Sequence, residues 1–563
     1  MNVQNHSFEL DFGRRPIVRP GAALAPRWLI RNPSVPDRFV TLVALSERLP
    51  DRFIAERLAQ TIRNETGSTV LVAHLALSAG GESLENWTGL QRKVNGEFAL
   101  RTETTDGGVR SVTLRATDGL AAESLASLLR HCMQHFQYVV LHPSIEVSER
   151  LLMNCIGFAN RTFLLLQARP QDFYERDLLL RNLTVSREGA KTNVQTIMCR
   201  EKGEDRFDSF LKGLGNELHG FVHGCPSRGA AEGLQYWHDR DFNADIRRLA
   251  REVSRRRVGL ALSSGGARGL AHVGVIQVLE EHGIEVDVVA GCSMGAYVGA
   301  VWACGYDGIA MERLAREVEH RWGLFELIDP FILPRQGFLR GEKIKRRLKR
   351  SIGEVHFSEL TRPLRVVATH LASLGRVVLS SGEVAQAVHA SSAIPGACVP
   401  VSIDGELCID GGISDPLPVD VLEEMGIERI IAVNTIPTPD YLRSRLEIER
   451  ERDARHGRRR SAFKQWLNTY LNYFAPGNIL DTILRSFNGA QMRVAEFSSL
   501  SADLVLRPLS FDGRWHDFRR PGKYIAIGRR EAEKHIEELK ALVHRKESNY
   551  EPPLAHHSLA PLT

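Results

Sequence analysis

The chain has 563 residues, with 73 Lys and Arg against 68 Asp and Glu, for a net charge of +5. Hydrophobic residues are 43% and charged residues 25%, ordinary for globular protein, and the length calls for two or three cores. The mild charge, with no zinc-finger, basic-zipper or RNA-binding signature, argues against nucleic acid as a partner. Eight scattered cysteines without CxxC pairs read as reduced cytosolic thiols, not a disulfide frame or metal site.

Residues 1–36 are rich in Pro and Arg, lack periodicity and read as a disordered arm. The opening MNVQNHSFELDFGRR has no apolar stretch of the kind a signal peptide needs. No uninterrupted apolar run reaches about 18 residues, so no transmembrane helix is expected. A cytoplasmic protein, peripheral to the inner face of the membrane, is the expectation. Residues 39–45 read as a buried strand, 51–64 as an amphipathic helix and 69–75 as a second strand. That is a β-α-β unit, hence a parallel sheet. A helix over 120–136 and strands over 138–143 and 162–166 extend the pattern, with further strand or helix pieces at 178–180 and 194–198.

A phosphate-binding loop would need GxxxxGK[ST] after the first strand. The chain reads SERLPDRF there, without glycine or a Lys–Ser pair, so no ATP hydrolysis is expected. Asp106-Gly107-Gly108 reads as a hairpin turn. The Arg cluster at 247–257 reads as a solvated helix face leading into the next strand, with a phospholipid-facing patch as the alternative.

A strand over 258–262 runs into Ser264-Gly265-Gly266-Ala267-Arg268-Gly269, which opens a helix over 269–282 ended by Gly283. Consecutive glycine N–H groups at a helix start form an anion cradle, suited to a phosphate or an oxyanion. A second strand over 286–290 runs into Gly291-Cys292-Ser293-Met294-Gly295. A serine on such a strand-turn-helix corner is strained and needs small neighbours, which Gly291, Gly295, Ala296, Gly299 and Ala300 supply. Helices over 307–322 and 341–351 follow. The second is a basic run that reads as a solvated face or an anionic-headgroup patch. Strands over 364–369 and 377–380 and a helix over 383–390 lead to a hairpin around Asp404-Gly405. That hairpin delivers Asp410-Gly411-Gly412, where Asp410 is placed to act as a base for Ser293. A helix to Gly426 and a strand over 429–433 close this stretch. Beyond it, 441–465 is a charged helical run and 466–487 is apolar and aromatic. The latter reads as a helix packed on the core or lying at a lipid interface. A strand at 504–506, a helix over 526–545 and a disordered tail complete the chain.

Taken in order, SGGARG (264–269), GCSMG (291–295), HASSAIPG (389–396) and DGG (410–412) resemble the patatin-like phospholipase family, among bacterial relatives of neuropathy target esterase. The resemblance covers about residues 255–435. It implies an α/β fold: a patatin-like three-layer α/β/α hydrolase domain. The preceding region, over 37–250, resembles the degenerate nucleotide-binding-like (MinD/Rossmann-like) α/β domain of those relatives. A C-terminal helical extension over 436–545 would pack on the catalytic domain, before a tail over 546–563. The resemblance further implies a Ser–Asp dyad, with Ser293 as nucleophile and Asp410 as base. The oxyanion hole would be the backbone of Gly265, Gly266 and Arg268. Gly269, Gly291, Gly295, Gly411 and Gly412 would support the turns, with no metal and no cofactor. The implied activity is a serine acyl hydrolase cleaving phospholipids or lysophospholipids at a membrane surface through an acyl-enzyme. One departure is visible: Ser264 stands where the family usually has glycine. A Ser-His-Asp triad would need His370, His389, His456 or His516, none of which has a motif behind it. Two rivals stay open: an acyltransferase on lipid acceptors, and a membrane-associated regulatory protein with vestigial catalysis.

Overall fold

A computed structural model describes residues 38–77, 90–92, 98–100, 103–105, 108–116, 122–186, 194–201, 218–231, 238–319, 339–439, 441–444, 447, 479–509 and 517–544. The predicted arm (1–36), the tail (546–563) and most of the 441–478 stretch lie outside the described residues.

The first β-α-β unit forms as its patterning requires. Strands β1 (Phe39–Ala44) and β2 (Val70–Leu77) flank the helix Asp51–Thr66, which ends on Gly67 in the left-handed region. A short ribbon of β3 (Leu90–Arg92) and β4 (Phe98–Leu100) follows. Then come β5 (Glu103–Thr104), β6 (Arg110–Ala116), β7 (Tyr138–Pro143), β8 (Arg161–Leu166), β9 (Val194–Glu201) and β10 (Leu218–Cys225). Their order is β10-β9-β8-β1-β7-β2-β6-β5, parallel throughout except for β5. Every residue of β1, β7 and β8 is buried, the near-continuous apolar run of strands covered on both faces. Val40, Leu42 and Ala44 face the helices Asp51–Thr66 and Arg240–Val253. Phe39, Val139 and Leu141 face Ala122–His135 and Glu149–Phe158. The 178–180 run, ambiguous by periodicity, belongs to the helix Pro170–Ser186. Leu179 and Leu183 pack on Leu164 while Leu178 is exposed.

The second sheet runs β15-β16-β13-β12-β11-β17-β18, with β14 paired to β13. Its strands are β11 (Val258–Leu262), β12 (Val288–Cys292), β13 (Leu364–His370), β14 (Arg376–Leu379), β15 (Val401–Ile403), β16 (Glu406–Asp410), β17 (Arg429–Val433) and β18 (Leu504–Leu506). Side chains alternate between two cores. Leu260, Leu262, Val289, Ile431 and Val433 face one, with helices Ala271–Glu281, Met294–Ala303 and Pro521–Lys534. Ala261, Val288, Ala290, Ile430 and Ala432 face the other, with helices Val419–Glu424 and Ile479–Ser499. The result is a three-layer α/β/α arrangement, as expected. The helix Pro521–Lys534 lies backbone to backbone on Ala271–Glu281. A Cβ at Gly274 would sit 1.9 Å from the Ile525 carbonyl oxygen, and one at Gly528 the same distance from that of Ala271. The predicted final helix over 526–545 thus starts earlier and is two helices, Pro521–Lys534 and Ile536–Val543.

The Arg cluster at 247–257 departs from the expected solvated face. Arg251 donates to Glu65 of the first half at 3.0 Å, and to Glu285 at 2.7 Å and Asp287 at 3.3 Å of the second. Arg247 reaches Glu285, and Arg257 reaches Glu252. Fixed carboxylates on both halves convert the run into an internal clasp. The basic helix, Glu342–Ile352, is likewise tied down: it buries Leu348 and Ile352, and Lys349 pairs with Glu383 at 2.8 Å. No helix of the described residues is long and apolar enough to cross a membrane.

Candidate active site

The strand β12 ends at Cys292, and Ser293 begins the turn into the helix Met294–Ala303. Its backbone has φ 53° and ψ −116°, a left-handed conformation that a serine adopts only when its surroundings hold it there. Two contacts do so. The Ser293 N–H donates to Ser391 Oγ at 2.8 Å, and Ser391 Oγ donates to the Val367 carbonyl at 2.5 Å. Gly295 lets the turn approach β11, since a Cβ there would lie 2.2 Å from the Leu262 carbonyl oxygen. Gly291 packs on Ala296 and Gly269 on Met294.

Strand β13 lies between β12 and β16, and the chain ends of β12 and β16 meet beside it. Cys292 is level with Val367, and Asp410 with Ala368. The hairpin that delivers Asp410 turns at Asp404 and Gly405, both with positive φ, as predicted. Ser293 Oγ donates to Asp410 Oδ2 at 2.8 Å. The other carboxylate oxygen accepts the Gly412 N–H at 2.7 Å. Thr369 Oγ1 holds the Asp410 carbonyl at 3.0 Å. Gly411 packs against the Val367 carbonyl. Burial pushes the Asp410 carboxyl up to about 6, against the opposing pull of the Gly412 N–H and the Ser293 hydroxyl. The Cys292 thiol is raised well above its usual range by burial and by the nearby carboxylates, so it is not a nucleophile.

The turn after β11 is the second wall. Gly265 and Gly266 open a short 3₁₀ turn, Gly266–Leu270, whose first N–H groups have no partner within the turn. Both residues line the same small cleft as Ser293 and Asp410. Arg268 contributes its N–H to the Gly265 carbonyl at 3.3 Å, and Ser264 gives its own to Pro416 at 2.8 Å. The serine in the usual glycine position is therefore a structural member of the turn. His272 is fully buried and its Nε2 bonds the Ser263 carbonyl at 2.9 Å. Burial lowers it to about 4, so it is a neutral donor to a carbonyl. Thr435 clamps the same turn through Ser263 Oγ and the Ser264 carbonyl.

No histidine bonds Ser293 or Asp410 among the described residues. His389 faces the Arg340 carbonyl at 3.2 Å, and His370 faces Glu406 and Ser373. His456 and His516 lie outside the described residues. The sequence reading missed the third wall. The helix Ile479–Ser499 places Phe487, Asn488 and Gln491 on the cleft. Gln491 is buried, its amide 3.5 Å from Ser264 Oγ and tight against Gly412. A single glutamine in a helical run carries no local signal of this role. No group of His, Cys, Asp and Glu among the described residues is arranged to hold a metal ion.

Residues 260–423 match the family model described as patatin-like phospholipase. An NTE family protein of Mycobacterium tuberculosis is 43% identical over 185 residues, 33% of this chain and 50% of that protein. A lysophospholipase nte1 of Aspergillus fumigatus is 31% identical over 301 residues, 52% of this chain and 20% of that protein. The chain thus spans half or less of the length of these curated relatives. Among solved structures, a ParA family ATPase from Chlorobium tepidum aligns at 14% identity and TM-score 0.27, covering 38% of this chain and 91% of that one. VipD from Legionella pneumophila aligns at 16% identity and TM-score 0.27, covering 51% and 67%.

Proposed function

We propose that this chain, whose residues 260–423 form a patatin-like, NTE-related domain, is a serine acyl hydrolase that cleaves fatty-acyl esters of phospholipids or lysophospholipids. The observation that carries the reading is the 2.8 Å contact of Ser293 Oγ with Asp410 on a strained turn. Asp410 takes the hydroxyl proton as Ser293 Oγ attacks the ester carbonyl carbon. The negative charge on the carbonyl oxygen is received by N–H groups of the 265–268 turn, Gly265 and Gly266 first. The C–O bond to the glycerol breaks, and the proton held on Asp410 passes to the leaving oxygen. Asp410 then deprotonates a water, which attacks the acyl carbon; the Ser293 Oγ–acyl bond breaks, the proton on Asp410 returns to Ser293 Oγ, and the fatty acid is freed. A Ser–Asp pair suffices because the low-dielectric site keeps Asp410 basic enough to accept a proton near neutrality.

Residues 37–250, the N-terminal α/β half, supply no ATP hydrolysis. After β1 the chain presents Pro50 and the Asp51 carboxylate, which faces His142 at 3.1 Å, where a phosphate cradle needs glycine N–H groups. Residues 255–435 carry catalysis, and the helix Ile479–Ser499 of the C-terminal extension closes the cleft. The substrate is met at the membrane surface.

Hydrolysis of a p-nitrophenyl acyl ester by wild type, Ser293→Ala and Asp410→Asn tests the dyad. Loss in both, with His389→Ala still active, is the expected result. Activity surviving in Ser293→Ala overturns it. Adding a lysolipid acceptor to the assay separates transfer from hydrolysis by the product formed.

A further inference from the structure

A second, larger cleft shares no lining residue with the Ser293 site. It runs between β10 with the helix Arg240–Val253 on one side and residues 356–365 with 380–382 on the other. It is partly open to solvent and lies at the junction of the two sheets. Junctions of this kind are where small-molecule sites form most readily.

Its charges do not balance. On the first wall Arg248 pairs with Asp245, and that same carboxylate accepts both the N–H and the Nδ1 of His223 at 2.8 Å. His219 is engaged by Glu252 at 2.8 Å. On the second wall stands Arg365, level with Ala290 in the sheet. One of its N–H groups donates to the adjacent Leu364 carbonyl at 3.0 Å. No carboxylate stands within ion-pair distance of it among the described residues, and the charge it feels most strongly is the repulsion of Arg257. Burial, then that repulsion, lowers it to about 10. Arg365 is half-buried, so its guanidinium is partly desolvated and stands in the cleft without a counter-charge. Arg248 shares its aspartate with His223, and Arg365 has no carboxylate partner among the described residues.

We propose that this cleft binds a small water-soluble molecule through an oxyanion group, phosphate or carboxylate, that pairs with Arg365. The planar guanidinium fork matches either group bidentately. Ser381 and Gly382 stand at the same wall, at the entrance to the helix Val384–Ser391 that carries the Ser293-binding Ser391. A molecule seated there touches both halves of the chain at once, so it stabilises the docked protein by mass action.

The test is thermal unfolding of the full chain at fixed ionic strength, with inorganic phosphate, sn-glycerol 3-phosphate or succinate as probes. Wild type is compared with Arg365→Gln and Arg365→Lys. At least one probe is expected to raise the wild-type midpoint saturably, by several degrees at millimolar concentration. The rise is lost in Arg365→Gln and weakened in Arg365→Lys. Which probe acts separates a phosphate head from a carboxylate. Without any probe, Arg365→Gln is expected to unfold at the wild-type temperature or above, because it removes an uncompensated charge. No shift with any of the three probes overturns the proposal, as does an equal shift in Arg365→Gln. Failure of Arg365→Gln to fold overturns it too, since Arg365 would then already have its partner. None of these readouts depends on ester hydrolysis.

Discussion

The Ser391 hydroxyl stands between the Ser293 amide and the Val367 carbonyl, accepting from the first at 2.8 Å and donating to the second at 2.5 Å. It ties the strained turn to β13, the strand that separates Ser293 from Asp410. Ser391→Ala removes the only acceptor described for that amide. A buried unsatisfied N–H costs about 1–3 kcal/mol, and the turn is free to relax away from Asp410. The expected result is a kcat lower by about tenfold, from roughly 1.4 kcal/mol of lost positioning, with KM little changed. Ser391→Thr, which keeps the hydroxyl, restores part of the rate. Steady-state kinetics on a soluble ester check both.

The pH dependence follows from two buried carboxyls. Asp410, raised to about 6, is a base only when ionised, so kcat/KM for an uncharged ester is expected to climb through about pH 6 and level off above it. Asp415 lies nearby, raised to about 7 by burial in spite of Arg376. Its folded value exceeds its unfolded value of 3.8, so the folded state holds its proton more tightly. Stability from this group is therefore full below 3.8 and lost as pH rises through about 7. Asp415→Asn is expected to flatten the fall of urea stability between about pH 4 and 7 while leaving the activity limb near 6 in place.

Gln491 closes the cleft from a helix far along the chain. Its buried amide rests on Gly412 and 3.5 Å from Ser264 Oγ, between the Asp410 turn and the glycine turn. Gln491→Ala is expected to cut hydrolysis about tenfold or more while the unfolding midpoint moves little. Phe487→Ala is expected to raise KM more for long than for short acyl chains, since each buried methylene contributes about 0.8 kcal/mol. A p-nitrophenyl series from butyrate to laurate reads both effects.

Arg251 joins the two halves through Glu65, Glu285 and Asp287. Arg251→Met leaves Asp287 buried with its main arginine partner gone. The expected loss is about 3–5 kcal/mol, the range for breaking one side of a buried pair. Urea unfolding should show the loss, and the double variant Arg251→Met with Asp287→Asn should recover part of it.

Local rules made much of this protein readable from its residues alone. Near-continuous apolar runs such as FVTLVA and VGLAL become parallel strands because covered strands need no polar face. Small residues around Ser293 permit the close approach its turn needs, and Asp404-Gly405 ahead of Asp410 tolerate positive φ, so both turns appear where the patterns put them. What only the tertiary structure decided is what lies across those turns. Ser293 and Asp410 are separated by 117 positions and meet only because β12 and β16 flank β13. The arginines of 247–257 looked solvated because their acceptors, Glu65, Glu285 and Asp287, lie far away along the chain. Gln491 looked like any polar helical residue. Strand order and side-chain pairing depend on long-range packing, which no short window of sequence encodes.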